Sequence, residues 1–127
     1  MREILFRGKT INKNWFYGLL VNKHGKWYIN KPGSPVSYEI QPETICQYTG
    51  LTDKNGKKIW EGDIVGYWDT YSTENGLSEA DCIGKVVWDD ETISFQVTNR
   101  LSAESYEVLD ECSVIGNVFD NPELLEV

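Results

Sequence analysis

The sequence predicts a mainly β protein with little helix, and three observations support this fold class. Apolar residues make up 40% and aromatic residues 13% of the 127-residue chain, which is typical of a protein with a packed core. Short runs rich in aromatic and β-branched residues follow one another, separated by turn-forming residues. No long amphipathic helices alternate with them, which disfavours a parallel α/β fold. We expect a small closed or half-closed barrel in the C-terminal half, because closure removes exposed strand edges.

The first element expected is an N-terminal β-hairpin. Its strands are "WFYGLLV", residues 15–21, and "KWYIN", residues 26–30, on either side of a polar turn that ends in Gly25. His24 lies in that turn, so we interpret the only histidine as a solvated turn residue and not as a catalytic base or metal ligand. Three of the four prolines follow within residues 30–45, which predicts a surface loop with one short extended piece at "VSYEI".

Four further strands are expected after Gly62: "DIVGYWDTY", "CIGKVVWDD", "TISFQVTNR" and "CSVIGNVF". Between the first two, the polar residues 72–81 predict a loop, with or without a turn of helix. Residues 102–111 fit both helical and strand spacing, and we favour strand or loop. At the end of the chain, "NPELLEV" predicts one helical turn that begins at Asn121, with Pro122 in its first position.

The second and third of these strands predict a second hairpin. Ile93, Phe95 and Val97 alternate with polar residues, which is the period of a strand with one buried face. Val86 and Trp88 are expected to face the same way, across a tight acidic turn. We therefore expect this hairpin to have one face in the core.

The stretch "QYTGLTDKNGKKIWEGDIV", residues 47–65, is dense in glycine and charge. Residues 53–56 predict one tight turn and residues 61–63 a second, because Asp and Asn bond nearby amides and Gly accepts positive φ. A calcium loop beginning in the first turn is disfavoured, since its fifth, sixth and twelfth positions hold two lysines and an isoleucine. A phosphate-binding loop is disfavoured too, because neither Ser or Thr nor a long helix follows the lysines.

This stretch resembles the most characteristic motif of the YopX-like proteins, a family of small phage and prophage proteins of bacteria that has no established activity. "MREILFRGKT" and "WFYGLLV" near the start, and "VIGNVFDNPELLEV" at the end, resemble the same family in the same order. The resemblance implies an N-terminal β-rich subdomain, residues 1–61, and a C-terminal SH3-type β-barrel subdomain, residues 62–127, with a short C-terminal tail. It also implies a viral or prophage origin in a bacterial host, and it brings no catalytic residues.

Composition disfavours several classes of function. The net charge of −8 and the isoelectric point near 4.6 disfavour direct nucleic-acid binding, which depends on Lys and Arg displacing counterions from phosphates. No apolar run approaches the ~20 residues that cross a bilayer, and the N-terminal apolar run is too short for a signal peptide. We therefore expect no membrane contact and a location in the cytoplasm of the bacterial host. Cys46, Cys82 and Cys112 form no CxxC pair and are expected to be reduced.

The aromatic residues offer the best prediction of a binding surface. Five Trp are many for a chain of this length, and Trp60 and Trp88 are expected to fill the core. The predicted surface combines aromatic residues at the end of a strand with the acidic turn of the second hairpin. It consists of Tyr67, Trp68, Tyr71, Asp89, Asp90 and Glu91.

Two functions from different classes follow from these observations. The first is a non-catalytic protein-binding module, in which the predicted surface docks on a host or phage protein, for example one that normally binds DNA. The alternative is a metal-dependent nuclease or hydrolase that uses clustered carboxylates, although the main acidic clusters fall in predicted turns. Pairing between copies in a homo-oligomer is a third hypothesis. We predict no cofactor, no metal site and no catalytic residue.

Overall fold

The computed structural model describes residues 5–98, 105–107 and 111–125, and it confirms the prediction of a mainly β protein with little helix. In these residues, the strands form two antiparallel sheets, and the helices are single 3₁₀ turns at Pro42–Thr44 and Pro122–Leu125. The strands are β1 (Phe6–Lys9), β2 (Trp15–Lys23), β3 (Lys26–Asn30), β4 (Ser37–Glu39), β5 (Cys46–Thr52), β6 (Lys58–Trp60), β7 (Asp63–Thr73), β8 (Gly76–Asp89), β9 (Ser94–Thr98), β10 (Ser105–Glu107) and β11 (Ser113–Asn117). The second 3₁₀ turn confirms the helical turn predicted after Asn121. No helix in the described ranges is both long and apolar enough to cross a membrane.

The strands divide into two compact units, residues 1–50 and residues 51–127. The first unit contains β1 to β4 and most of β5, and the second contains the remaining strands. The division between residues 61 and 62 rests on the family resemblance and stays a prediction.

In the first unit, the strands pair in the order β4-β3-β2-β1-β5. The predicted hairpin is confirmed as β2 and β3, which pair up to Lys23 opposite Lys26. His24 and Gly25 form its turn with φ of 54° and 82°, a region that glycine enters freely and histidine enters more readily than most residues. The extended piece predicted within residues 36–40 is also confirmed, as β4.

One part of the core of the first unit lies around the buried side chains of Ile29 and Ile40, on one face of this sheet. Gly8 on β1 packs so closely against Ile40 that a Cβ at this position would overlap the isoleucine side chain. The backbone amide of Lys9 donates to Thr44 Oγ1 at 2.8 Å, which attaches β1 to the first 3₁₀ turn. The opposite face is buried at Arg7 and Cys46, on β1 and β5, and becomes exposed on β2.

In the second unit, the end of β5 forms a hairpin with β6, and the other strands form a five-stranded sheet in the order β10-β9-β8-β7-β11. The described residues form one buried apolar cluster here, against which Tyr67 and Val114 also pack. The members of this cluster are Ile59, Val65, Val86, Phe95, Val97 and Cys112. Trp60 is buried, as predicted.

The second predicted hairpin is confirmed as β8 and β9, in which Val86 pairs with Val97 and Trp88 with Phe95. The predicted burial of Ile93 is wrong, because the turn includes this residue, which is 75% exposed with a φ of 52°. The predicted burial of Trp88 is also wrong. Its ring packs edge-on against Phe95, with 5.0 Å between centroids, but stays 42% exposed at the end of the hairpin.

The largest difference from the sequence prediction is at residues 72–81, which form strand and turn and not a loop. β7 and β8 pair without a break from Ile64 opposite Lys85 up to Gly76 beside the turn. Asn75 and Gly76 are the Asn-Gly pair that is typical of tight hairpins. A two-stranded ribbon needs no apolar alternation, because cross-strand backbone bonds define it, and its polar side chains therefore resemble those of a loop.

The five-stranded sheet is open in the part of the chain that the structure describes, so the closed form of the expected barrel is not seen there. β10 and β11 are its edges, and β10 pairs with β9 whereas β11 pairs with β7. Closure would need the two edge strands to bond to each other. Within the ambiguous residues 102–111, Ser105–Glu107 form a strand, and residues 102–104 and 108–110 lie outside the described ranges.

Two glycines of the β7–β8 hairpin give a matched test of this packing. A Cβ at Gly84 would lie 2.6 Å from Val97 Cγ1 and 2.7 Å from the carbonyl oxygen of Thr98, whereas at Gly66 the nearest atom is 3.9 Å away. We expect Gly84→Ala to lower the free energy of unfolding by about 2 kcal/mol, and Gly66→Ala to change it by less than about 0.5 kcal/mol. Urea unfolding followed by tryptophan fluorescence measures both variants. Equal changes in the free energy of unfolding for the two variants would contradict the close packing of β8 against β9.

Candidate protein-binding surface

Part of the β7–β8 hairpin extends beyond the five-stranded sheet. β11 pairs with β7 at residues 63–66, and β9 pairs with β8 at residues 85–89. Residues 67–83 therefore form a two-stranded ribbon, here called the arm, beside which the described strands place no third strand. A ribbon of two strands is only marginally stable by itself. Contact with another surface would therefore stabilise the arm.

One face of the arm carries exposed apolar side chains. The register places Trp68 opposite Asp81, and Leu77 and Ile83 share their face because residues two apart along a strand point the same way. Trp68 is 59% exposed, and Leu77 and Ile83 are exposed as well. Asp81 and Glu79 are exposed acidic residues of the same face. The face thus combines an indole and two aliphatic side chains with carboxylates.

The opposite face of the arm begins at the core of the second unit. Tyr67 is half-buried and packs against the buried cluster that contains Val65, and Cys82 lies opposite it on β8. Tyr71 belongs to β7, but its side chain lies outside the described residues. Of the two predicted aromatic side chains that the structure describes, Trp68 is exposed and Tyr67 contributes to the core.

The acidic turn predicted as part of the same surface is separate from the arm. Asp89 is eight residues from Asp81 along β8, which is about 26 Å in an extended strand. Two carboxylates of the turn have local partners: Asp89 Oδ1 accepts the amide of Glu91 at 2.8 Å, and Asp90 Oδ1 accepts the indole N–H of Trp88 at 2.8 Å. The structure therefore does not join the two parts of the predicted surface.

Asp53 explains the glycine-rich stretch at residues 47–65 as a structural turn. Its buried carboxylate accepts the backbone N–H groups of Asn55 and Lys57 through Oδ1, and that of Val114 through Oδ2, each at 2.9 Å. Burial raises the pKa of this carboxyl, but the three N–H groups lower it by more, so its pKa lies below the ordinary value of 3.8. Turn chemistry predicted the local bonds. The bond to β11 has no signal in the sequence, because it joins residues 61 positions apart.

The described residues contain no group of three or more His, Cys, Asp or Glu side chains that could hold a metal ion. His24 is exposed in its hairpin turn. Cys46 and Cys112 are buried, Cys82 is half-buried, and none of the three is in a disulfide. These side chains therefore give no candidate metal or thiol site. The candidate site is the exposed face of the arm, which combines groups that bind protein surfaces, namely an indole, aliphatic side chains and carboxylates.

Comparison with known proteins tests the family resemblance. A protein-family model described as "YopX protein" matches residues 6–126. The chain belongs to the YopX family. The crystal structure of protein EF1440 from Enterococcus faecalis is similar to this YopX chain, with 24% sequence identity, a TM-score of 0.56, and coverage of 99% of this chain and 100% of that one. This similarity shows the fold alone, and a search of curated proteins gave no match.

Asp53→Asn tests the turn of this YopX chain by stability. At pH 7 we expect the free energy of unfolding of the variant to fall by about 1 to 2 kcal/mol, because a neutral amide replaces the charged acceptor of three hydrogen bonds. The pKa of Asp53 is lowered in the folded state, so its contribution is present above the unfolded value near 3.8 and is lost as the pH falls through the lower folded value. Urea unfolding of both proteins between pH 7 and about pH 2.5 measures the difference.

The stability difference between the wild-type protein and Asp53→Asn should therefore narrow below about pH 4. Glu123→Gln is the matched control, because Glu123 is an exposed acid near the end of the chain. We expect it to change stability by less than about 0.5 kcal/mol at every pH. A constant difference for Asp53→Asn across the pH range would contradict the role of its charge.

Thiol labelling tests the position of the arm relative to the core. Cys82 is half-buried on the arm, whereas Cys46 and Cys112 are buried. In the native protein, iodoacetamide should therefore modify Cys82 first, by at least about tenfold in rate, because the buried thiols react only after local opening. Peptide mass spectrometry over time identifies the modified residue. Equal rates for the three thiols in the absence of denaturant would contradict this arrangement.

Proposed function

We propose that the protein is a non-catalytic protein-binding module of a bacterial phage or prophage, which docks through the exposed face of the arm. The observation that carries this proposal is the exposure of Trp68 beside Ile83 on a ribbon outside the sheet. Trp is enriched among the residues that dominate the energy of interfaces, and clustered exposed apolar groups mark interaction sites. The phage origin and a location in the cytoplasm of the host are part of the proposal and rest on the family resemblance.

The charge of the second unit defines the chemistry of the partner. Residues 51–127 contain 17 Asp or Glu and five Lys or Arg, which is a net charge of −12. Glu79 and Asp81 add carboxylates to the face of Trp68 itself. Complementary charge steers association and suppresses wrong partners. The partner in this proposal is a host or phage protein with an apolar groove rimmed by Lys and Arg, such as a protein that normally binds DNA.

The proposal includes an SH3-type arrangement of the second unit. Its support is the strand order β10-β9-β8-β7-β11, in which the first strand of the sheet lies between the second and the last. The first and last strands of the sheet in chain order, β7 and β11, are therefore neighbours, as in small β barrels. SH3 domains bind extended segments on aromatic side chains, which agrees with a binding role for the exposed indole.

Trp68→Ala is the direct test of the arm. We expect it to reduce capture of the partner from a bacterial host lysate by about 30-fold or more, because truncation of a central interface residue costs at least ~2 kcal/mol. Ile93→Ala is the matched control, since Ile93 is an exposed apolar residue of the same unit in the β8–β9 turn. Quantitative mass spectrometry at about 50 and about 500 mM salt identifies the partner and measures its salt dependence.

Capture that survives Trp68→Ala, or that does not weaken as salt rises, would contradict the proposal. Sedimentation velocity separates it from the homo-oligomer hypothesis, in which Trp68→Ala converts a concentration-dependent dimer into a monomer. The metal-dependent nuclease or hydrolase has no supporting cluster among the described side chains. Turnover of DNA, RNA or an ester that requires Mg²⁺ or Mn²⁺ would nevertheless replace the proposed function with that alternative.

A further inference from the structure

The charge of the protein is divided unequally between its two units. Residues 1–50 contain seven Lys or Arg and three Asp or Glu, a net charge of +4 in a chain of net charge −8. The expectation against nucleic-acid binding rests on the charge of the whole chain. The first unit by itself has the sign of charge that attracts phosphates.

Cations and aromatic rings lie together on one face of the first sheet. The register places Lys9 opposite Trp15 and Arg7 opposite Tyr17, so these four residues share a face. The Arg7 guanidinium carbon lies 4.7 Å from the centroid of the Trp15 ring, and Lys9 Nζ lies 5.4 Å from it. Ile29 lies on the opposite face, but Arg7 is itself buried on this one, so the accessible part of the face lies on β2 and β3.

The same face continues across β2 and β3 with more cations. Lys23 on β2 lies opposite Lys26 on β3, and both lysines are exposed. Lys23 Nζ lies 5.9 Å from the centroid of the Tyr28 ring. Among the described residues of these strands and β4, the register places one acid, Glu39, on this face. Lys26 Nζ lies 3.5 Å from its carboxylate. On the described residues of β2 to β4, this face therefore has two lysines and one acid, an excess of one positive charge.

The centre of this face is accessible. Tyr17 is 46% exposed and Leu19 is 53% exposed, and both lie on β2 between Trp15 and Lys23. The eight residue steps from Trp15 to Lys23 span about 26 Å, which suits a site of about four nucleotides. An exposed ring beside exposed lysines can stack on an unpaired base while the lysines hold a neighbouring phosphate.

We propose that this face of the first unit, centred on Tyr17, binds single-stranded nucleic acid. A single strand fits better than a duplex because only unpaired bases present their faces to a ring on a sheet. The proposal does not depend on the arm, because it uses another unit, other side chains and the opposite sign of charge. Trp68→Ala should therefore leave this binding unchanged, whatever its effect on a protein partner.

Fluorescence anisotropy with the full chain and a labelled single-stranded oligonucleotide of about 12 nucleotides tests the charge of the face. Replacing both exposed lysines, as Lys23→Gln with Lys26→Gln, should reduce the slope of log K against log salt by about 1.4, at ~0.7 for each phosphate that is no longer neutralised. Lys54→Gln with Lys85→Gln is the matched control. It removes the same charge from exposed positions of the second unit, so its slope should equal that of the wild-type protein.

Tyr17→Ala tests the stacking interaction in the same assay. We expect it to weaken binding by about 5- to 150-fold, the range for removal of one base–aromatic stack. The far-UV circular dichroism of the variant should match that of the wild-type protein, because the side chain is half exposed. A labelled duplex of the same sequence should bind more weakly than the single strand.

Three outcomes would overturn the proposal: no binding of the single strand at about 50 mM salt, equal losses of affinity in the two double-lysine variants, or a preference for the duplex. A fourth outcome would assign the face to another occupant. If the oligonucleotide does not bind, and the Lys23→Gln and Lys26→Gln double variant abolishes self-association in sedimentation, the face binds the acidic unit of a second copy and the nucleic-acid proposal is wrong.

Discussion

The hydrogen bonds of one buried carboxylate are the constraint on which the second unit most depends. The Asp53 carboxylate accepts hydrogen bonds from three backbone N–H groups, two in its own turn and one at Val114 on β11. Asn55 adds a side-chain bond from Nδ2 to Ser113 Oγ at 3.1 Å. Because β11 pairs with β7, and β7 with β8, this attachment of the turn holds the edge of the sheet from which the long hairpin begins.

The β7–β8 hairpin has two roles along its length. Near Val65 and Val86 its side chains form the buried cluster, and close packing at Gly84 fixes β8 against β9. Beyond this point the strands pair only with each other in the described sheet, and an indole and aliphatic side chains become exposed. The well-packed base positions the arm, which gives a marginally stable ribbon a defined direction for binding.

Local chemistry explains which parts of the structure could be predicted from the sequence. The hairpins around His24 and before Phe95 were predictable, because turn residues and side-chain alternation act over a few residues. Residues 72–81 were not predictable in this way, since backbone bonds between two strands define this ribbon and its polar side chains show no apolar alternation. The exposure of Ile93 was missed because the turn is longer than its acidic residues suggest. The separation of Trp68 from the acidic turn depends on the register of a long strand.

The sequence by itself determined the fold class, the turns, the family and the unequal charge of the two halves, because composition and short-range bonding are written in consecutive residues. Only the tertiary structure decided which aromatic residue of the predicted surface is exposed and which cations share a face with Tyr17. It also attached the Asp53 turn to β11. Strand register and burial bring together residues far apart in the chain, and neither leaves a local pattern.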